Sequence, residues 1–393
     1  MKLPALSFPN LAVALLASSH VAQVALAQSN ASEGVPNQHL EWPASSTVTL
    51  TPPAHAVKAA VTGTITDLIT RTFTLTFTTT ACQTPALSKV LYSPYKDTSI
   101  NMNWNTNQVS TDVSGSIAPA SVVAINTGLT ALTFAYATGE CGSENWGGVD
   151  GAAFAQANVA EWSNAGLKFM LSTGGAAGVF TCGSDAGMET FLSRFASSQL
   201  EGVDFSVVGG QTQSVINGLV ARVKVSQSAH PNLRFSFSLA SLGGNATQSL
   251  NEVGQLTMSA IQNAGLTDYY INLLAMDYGA PSAEICVLSN GVCDMGLSAI
   301  AAATNLHDEY NVPYNRIELT VMIGGNDVAG EVFTLDNADT VAEFVLGNGL
   351  GGLHFWSFDR DVDCPPGAAS PTCNSYGSAG TLGFTKRFLS HGL

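Results

Sequence analysis

The stretch Leu200–Gly210 reads LEGVDFSVVGG and sets one carboxylate, Asp204, in an apolar run. Side chains alternate across a strand, so positions 204, 206 and 208 share a face. Three acids at that spacing could share protons and act on one substrate group. Here the next two places on that face hold Ser206 and Val208. A hydroxyl still hydrogen-bonds, whereas an isopropyl group can neither give nor take a proton. Other apolar runs end in groups suited to binding. They are Tyr92, Tyr95 and Trp104; Tyr136 and then Asn145-Trp146-Gly147-Gly148; Ser172-Thr173-Gly174-Gly175; Met276-Asp277-Tyr278-Gly279; Gly325-Asn326-Asp327; and Trp356-Ser357. Brought together, they make a cleft with aromatic walls and amide, hydroxyl and carboxylate groups at its floor.

The elements that must position these groups begin at Lys89. Short apolar runs recur at KVLYSPY, ALTFAYA, LKFMLSTGG, GVDFSVV, LRFSFSLAS, YYINLLAMDYG, IELTVMIGGND and GGLHFWSFD. They read as continuous apolarity rather than alternation, which suits parallel strands covered on both sides. Amphipathic segments such as VDGAAFAQANVAEWSNAG and QTQSVINGLVARVKVSQ lie between them, each long enough for three or four helical turns. Eight strand–helix repeats over about 300 residues predict an α/β fold, a (β/α)8 TIM barrel with its chemistry at the C-terminal strand ends. An open doubly wound sheet is the alternative, but no GxGxxG follows the first strand.

Residues 1–27 read as a secretory signal: Lys2, an apolar stretch from Leu11, and Ala25-Leu26-Ala27 as a small-x-small cleavage site. Ser18, Ser19, His20 and Gln23 cut the run short of a membrane span. Residues 28–85 form a Ser/Thr/Pro-rich extension, a linker or small β segment in which TFTLTFTTT alternates like a half-buried strand. Residues 86–393 are assigned to the barrel, and a monomer is expected. With 11% charged residues and a net charge of −15, the chain should repel nucleic acid. Asn30 and Asn245 open glycosylation sequons. Seven cysteines in a secreted chain point to bridges. Cys286 and Cys293, and Cys364 and Cys373, are near enough in sequence to clamp loops. Cys141 and Cys182 pair if their loops meet, which leaves Cys82 over. No metal or cofactor is expected, because no CxxC, HExxH or His cluster occurs.

Taken in order, these strings resemble glycoside hydrolase family 18, the chitinase family. LLAMDYG is similar to the family's sixth-strand Met-Asp-Tyr motif, GGLHFWSFDRD to its eighth-strand tryptophan segment and MLSTGG to its third-strand Ser-x-Gly-Gly. VMIGGNDVAGEVFTLDNA and the WGG after strand two resemble a secreted microbial subgroup. The family's fourth strand carries Asp-x-x-Asp-x-Asp-x-Glu, which places its acids at Glu201, Asp204, Ser206 and Val208. The resemblance implies a substrate-assisted mechanism, in which the Glu protonates the leaving oxygen and the substrate's N-acetyl carbonyl attacks the anomeric carbon. With Val208 and Ser206 in those places, catalytic residues are absent and the strand reads as dead. Glu201 is about 23 Å along the strand from position 208 at roughly 3.3 Å per residue. Asp277 is the nearest other acid.

The resemblance further implies that Trp356 forms the floor beneath a sugar. Asp277 and Tyr278 then address its acetamido group, while Met276 and Met322 line the apolar base. Tyr136, Asn326, Trp104 and Trp146 complete the candidate binding set. The competing readings are plain packing for Trp104 and Trp146, helix–sheet packing for Trp162, a cap for Asn326 and Asp327, and an interior position for His354. The expected function is a secreted chitinase-like pseudoenzyme, an effector that binds chitin and N-acetylglucosamine oligomers without cutting them and so shields or sequesters chitin fragments from host recognition. The rivals are a slow chitinase or endo-N-acetylglucosaminidase, a protein-binding pseudoenzyme such as a glycosidase inhibitor, and a structural wall protein.

Overall fold

The computed structural model describes residues 90–393 apart from 177, 246 and 247, and four short strands before them. Asn30 and Cys82 lie outside the described residues. The chain divides into two units, Met1–Cys82 and Gln83–Leu393. In the first, Ala12–Ser18 pairs antiparallel with Val21–Ala27, and Gly63–Thr66 with Thr72–Leu75.

The second unit is a (β/α)8 barrel. Its strands are β1 (Leu91–Tyr92, continued by Tyr95–Asp97), β2 (Ala131–Glu140), β3 (Lys168–Gly174), β4 (Leu200–Ser206), β5 (Arg234–Ala240), β6 (Tyr270–Ala275), β7 (Ile317–Met322) and β8 (Gly352–Trp356). Every neighbouring pair is parallel, and the split first strand closes the ring. Leu91–Tyr92 pairs with β8 and Tyr95–Asp97 with β2. The helices are α1 (Ala120–Thr127), α2 (Gly151–Asn164), α3 (Asp185–Arg194), α4 (Gln213–Ala229), α5 (Glu252–Ala264), α6 (Met295–Tyr310), α7 (Leu335–Asn348) and α8 (Gly383–Ser390).

Local sequence fixes where these helices begin and end. The side chains of Asp150, Ser184, Thr212, Asn251, Asp294 and Thr334 each accept a backbone N–H in the first turn. Each such cap contributes about 1 kcal/mol. Gly128, Gly265 and Gly349 end α1, α5 and α7 in the left-handed conformation that glycine adopts without strain.

Burial covers both faces of the strands, but their chemistry alternates, contrary to the expected continuous apolarity. On β5 the helix-facing Phe235, Phe237 and Leu239 are buried among apolar groups, while Ser236 and Ser238 point inward. On β7, Leu319 and Val321 alternate with Glu318 and Thr320, and all four are buried. The barrel interior is therefore a polar hydrogen-bonded column wrapped in an apolar sleeve. Each of its polar groups needs a partner, because an unpaired one costs about 1–3 kcal/mol.

All three expected disulfides are present: Cys141–Cys182, Cys286–Cys293 and Cys364–Cys373. The first staples the loops after β2 and β3, which also pair as strands at Gly139–Glu140 with Phe180–Thr181. The cluster of Glu140, Cys141 and Cys182 spends both sulfurs in that bond. Asn245 is exposed on the loop after β5. Among the described residues, no helix is long and apolar enough to cross a membrane.

Candidate functional site

Asp204 lies inside the barrel, 1% exposed, held by hydroxyls from three other strands. Tyr95 (2.9 Å) and Ser172 (2.6 Å) donate to one carboxylate oxygen, and Ser236 (3.0 Å) and Ser238 (2.7 Å) to the other. The network has a direction. Thr320 donates to the Asn272 carbonyl (2.8 Å), and the Asn272 amide donates to Tyr95 (2.9 Å) and Ser238 (2.8 Å), whose protons end on Asp204. Burial pushes the Asp204 carboxyl above its ordinary range, and the hydroxyls pull the other way. All four donors stay satisfied only while it remains an acceptor. Asp204 thus anchors the interior and holds no lone pair free toward the barrel mouth.

One step further along, Ser206 is 3% exposed and its Oγ has no partner. Val208 lies two residues past the strand, half-buried. The Ser-Thr-Gly-Gly end of β3 now has a physical reason. Ser172 binds Asp204, and Gly174 and Gly175 take φ of +80° and +73°. A Cβ on Gly174 would lie 2.4 Å from the Ser206 carbonyl oxygen, and one on Gly175 would lie 2.8 Å from the Tyr136 ring. Only glycine lets β3 pass that close.

An aromatic cluster forms the mouth. Tyr136 stacks on Trp356 with ring centroids 5.5 Å apart and planes 19° apart. Tyr95 lies beneath both, 6.3 Å from Tyr136 and 6.2 Å from Trp356. Tyr136 and Trp356 are half-buried, so part of each ring remains accessible. The peptide bonds Ala135–Tyr136 and Trp356–Ser357 are both cis. Burial pushes the Tyr136 hydroxyl far up, and the Asp204 charge adds to it, so it stays a neutral donor.

The loops after β6, β7 and β8 interlock beside this cluster. Asp277 is exposed, has φ +52° and accepts the Asp327 N–H at 2.8 Å. Partial desolvation pushes its carboxyl up, and the Asp327 N–H opposes that. Glu331 is 2% exposed and accepts the Tyr278 and Gly279 N–H groups, both at 3.1 Å. Arg360, 1% exposed, donates to the carbonyls of Ile323 (2.9 Å) and Gly325 (2.6 Å). Met276 is half-buried and Met322 is 3% exposed.

Two expected binding residues belong to the scaffold instead. Trp146 is fully buried, stacked on Phe154 at 4.5 Å and 4°, and offers no face to a ligand. The WGG turn folds its ring inward, where burying that area outweighs display. Asn326 is 4% exposed, donates to the carbonyls of Met322 and Gly324, and accepts the Asp277 N–H, so it closes a loop. Trp162 stacks on Phe134 at 3.7 Å between α2 and β2, and His354 is an interior residue bonded to the Ser93 carbonyl. Trp104 stands exposed on the loop after β1. Sequence reasoning placed Ser172 at a strand end but missed Ser236, Ser238, Asn272, Glu331 and Arg360 as organisers of the site. The serine alternation in RFSFSLAS was the available signal.

No family model matches the chain. It is 25% identical over 308 residues to the probable bifunctional chitinase/lysozyme of Escherichia coli, covering 70% of this chain and 31% of that protein. It is 26% identical over 305 residues to endochitinase 11 of Metarhizium anisopliae, covering 70% of this chain and 53% of that one. The chain thus spans about a third and about half the length of these relatives. Among solved structures, the catalytic domain of a hyperthermophilic chitinase from Pyrococcus furiosus superposes with a TM-score of 0.61 at 22% identity, over 77% of this chain and 95% of that one. Catalytic-site mutants of active domain 2 of a thermostable chitinase from the same organism, complexed with chito-oligosaccharides, give 0.60 at 21%, with the same coverage. These superpositions show a shared fold.

Proposed function

We propose that this chain, which belongs to the chitinase family, glycoside hydrolase family 18, is a secreted protein that binds chitin oligosaccharides in the barrel mouth and does not hydrolyse them. The observation that carries the reading is the pair Ser206 and Val208 above a fully committed Asp204. Substrate-assisted cleavage needs a proton donor at the leaving oxygen and an anion beside the developing oxazolinium. Val208 supplies no proton, Ser206 no charge, and Asp204 faces four donors from within. Loss of general acid catalysis alone costs about 10² to 10⁴ in rate.

Binding groups remain. Trp356 and Tyr136 offer partly open rings, and such stiff faces bury large area at little entropic cost. Asp277 and Met276 lie on the loop after β6, which Glu331 fixes, while the Tyr278 hydroxyl is buried. The leader at residues 1–27 supports secretion, and shielding or sequestering chitin fragments is the use such a binder would serve. The test is calorimetric titration with hexa-N-acetylchitohexaose, followed by product analysis of the same mixture over days. Binding without product is expected. Product release would restore the slow-hydrolase reading, and absence of binding would leave a protein partner as the ligand.

A further inference from the structure

We propose that the N-terminal end of the barrel, opposite the mouth, carries a second binding site, in which Arg234 and Arg316, both stacked on Tyr270, take a small polyvalent oxyanion of the phosphate or dicarboxylate class. The site shares no residue with the mouth and does not depend on the chitin-binding reading.

The strands themselves hold the two ends apart. Arg234 and Tyr270 open β5 and β6, and Arg316 directly precedes β7. Ser206, Met322 and Trp356 close β4, β7 and β8 at the other end. A strand such as β5, of 7 residues, spans about 20 Å at roughly 3.3 Å per residue.

An open cavity of about 270 Å³ lies at this end, its lining including Glu201, Asn232, Arg234, Asp268, Tyr270 and Arg316. The Arg234 ζ carbon sits 3.5 Å from the Tyr270 ring centroid and that of Arg316 4.7 Å from it. Stacking uses the face of a guanidinium and leaves its N–H edge to donate. Barrel bottoms ordinarily serve stability, and a purely stabilising network would consume those donors. Here it does so only in part. Arg234 Nε donates to Glu318 at 2.5 Å and Nη2 to the Gly351 carbonyl at 2.7 Å, while Nη1 has no partner among the described residues. Arg316 Nη1 lies 2.6 Å from Asp268, with the two side chains 33% and 62% exposed. An ion pair so exposed contributes little, so an incoming anion displaces Asp268 at small cost. The other two carboxylates are already neutralised, Glu201 by Lys168 and Glu318 by Arg234.

This arrangement selects the ligand. A carboxylate or phosphate group meets a guanidinium edge through two parallel hydrogen bonds, and two such edges beside one ring suit a ligand of more than one charge. The bonds from Arg234 to Glu318 and Gly351 hold the first edge in place, so little ordering is left to lose on binding. The net charge of −15 on the rest of the chain repels nucleic acid and anionic bilayers, which favours a small ion over an extended polyanion.

The experiment titrates the full chain by calorimetry with citrate and with inorganic phosphate at matched ionic strength. Both titrations are repeated with Arg316→Gln, Arg316→Lys, Asp268→Asn and Lys386→Gln, the last an exposed cation on α8. Arg234→Gln is avoided because it would leave Glu318 buried without its cation. At least one of the two anions is expected to bind with a Kd of about 1 mM or tighter. Arg316→Gln should weaken it about tenfold, Arg316→Lys less, and Lys386→Gln not at all. Asp268→Asn should tighten it about threefold by removing the competing carboxylate, a gain that a merely stabilising ion pair does not predict. Chitohexaose affinity should be the same in every variant. The proposal is overturned if neither anion binds, if Arg316→Gln binds as well as the unaltered chain, or if that variant loses chitohexaose affinity to the same extent. Sedimentation with phosphatidylserine vesicles completes the test. Arg316-dependent binding to vesicles without binding of citrate or phosphate would overturn the small anion in favour of a membrane surface. If citrate or phosphate binds through Arg316 while chitohexaose binds nowhere, the anion site stands and the barrel-mouth reading falls.

Discussion

β4 and β8 are both strands of one barrel, and they treat their functional ends in opposite ways. β8 delivers Trp356 to the mouth with part of its ring open, backed by Tyr136 and Tyr95. β4 turns its one acid inward, where four hydroxyls close around it, and ends in an unpartnered serine and a valine. The aromatic wall beside β8 and the acid of β4 can thus vary separately, because different forces hold the two. The wall is aromatic packing and backbone-to-carboxylate bonds from Glu331. The β4 acid is a node in a hydrogen-bonded column that also pins β1, β3, β5 and β6. The uncharged Ser206 and Val208 add no like charge next to the buried Asp204 carboxylate.

The largest expected effect comes from making β4 resemble a working strand. In Val208→Glu with Ser206→Asp, the glutamate regains a proton to give and the aspartate a charge to stabilise the intermediate. Product release from chitohexaose should rise by about 10² to 10⁴ over the unaltered chain, measured by chromatography of the digest. Ser206→Asp alone should leave activity near background, since no acid reaches the leaving oxygen. A high rate in the unaltered chain, unchanged in the double variant, would break the contrast between β4 and β8.

How much of this contrast the sequence revealed depends on the scale of the signal. The eight strands were legible because apolar runs act locally, and Cys286–Cys293 and Cys364–Cys373 followed from close spacing, whereas Cys141–Cys182 depended on two loops meeting in space. The shared inward face of Asp204 and Ser206 was legible because strand parity is rigid, whereas Val208 lies two residues past the strand end. Trp146 was not, since a rim motif does not reveal which way a turn folds its ring; packing on Phe154 decided it. Asn326 likewise resembled a ligand group until the loop carbonyls of Met322 and Gly324 claimed its amide. The four-hydroxyl cage of Asp204 draws on three other strands far apart in sequence. Only the closed ring brings them together.

A second acid sharpens the comparison from below. Glu318 on β7 is 1% exposed like Asp204, but its partners are Arg234 Nε at 2.5 Å and His354 Nε2 at 3.6 Å. Burial pushes its carboxyl up, but the Arg234 guanidinium and the His354 imidazole beside it more than offset this and hold it at about 2, below an ordinary value of 4.5. The folded state therefore binds fewer protons here than the unfolded chain. The resulting stability is present above about pH 4.5 and is lost as pH falls toward 2. It amounts to on the order of 3 kcal/mol. Thermal melts between pH 6 and pH 2 should show that loss. Glu318→Gln should lower Tm at pH 6, because it leaves Arg234 without its carboxylate, and flatten the acid limb. An unchanged acid limb in Glu318→Gln would assign acid sensitivity to other carboxylates.

The smallest of these effects tests the β8 side alone. Trp356→Ala removes the ring that Tyr136 stacks on and that a sugar would cover. Its partial exposure means the fold loses less than for a fully buried tryptophan, so affinity should suffer more than stability. Truncating a central aromatic contact costs about 2 kcal/mol or more, which is roughly a thirtyfold weaker Kd for chitohexaose. Trp356→Phe should recover part of it, because a smaller stiff face remains. Asp204→Asn supplies the counterpart from β4. Its amide turns a donor toward hydroxyls that already donate, so it should lower Tm and leave oligomer affinity within a factor of about two at temperatures where the variant is folded. If Asp204→Asn weakened binding as much as Trp356→Ala, the acid would be in contact with ligand after all. β4 would then belong to the binding wall and not beneath it.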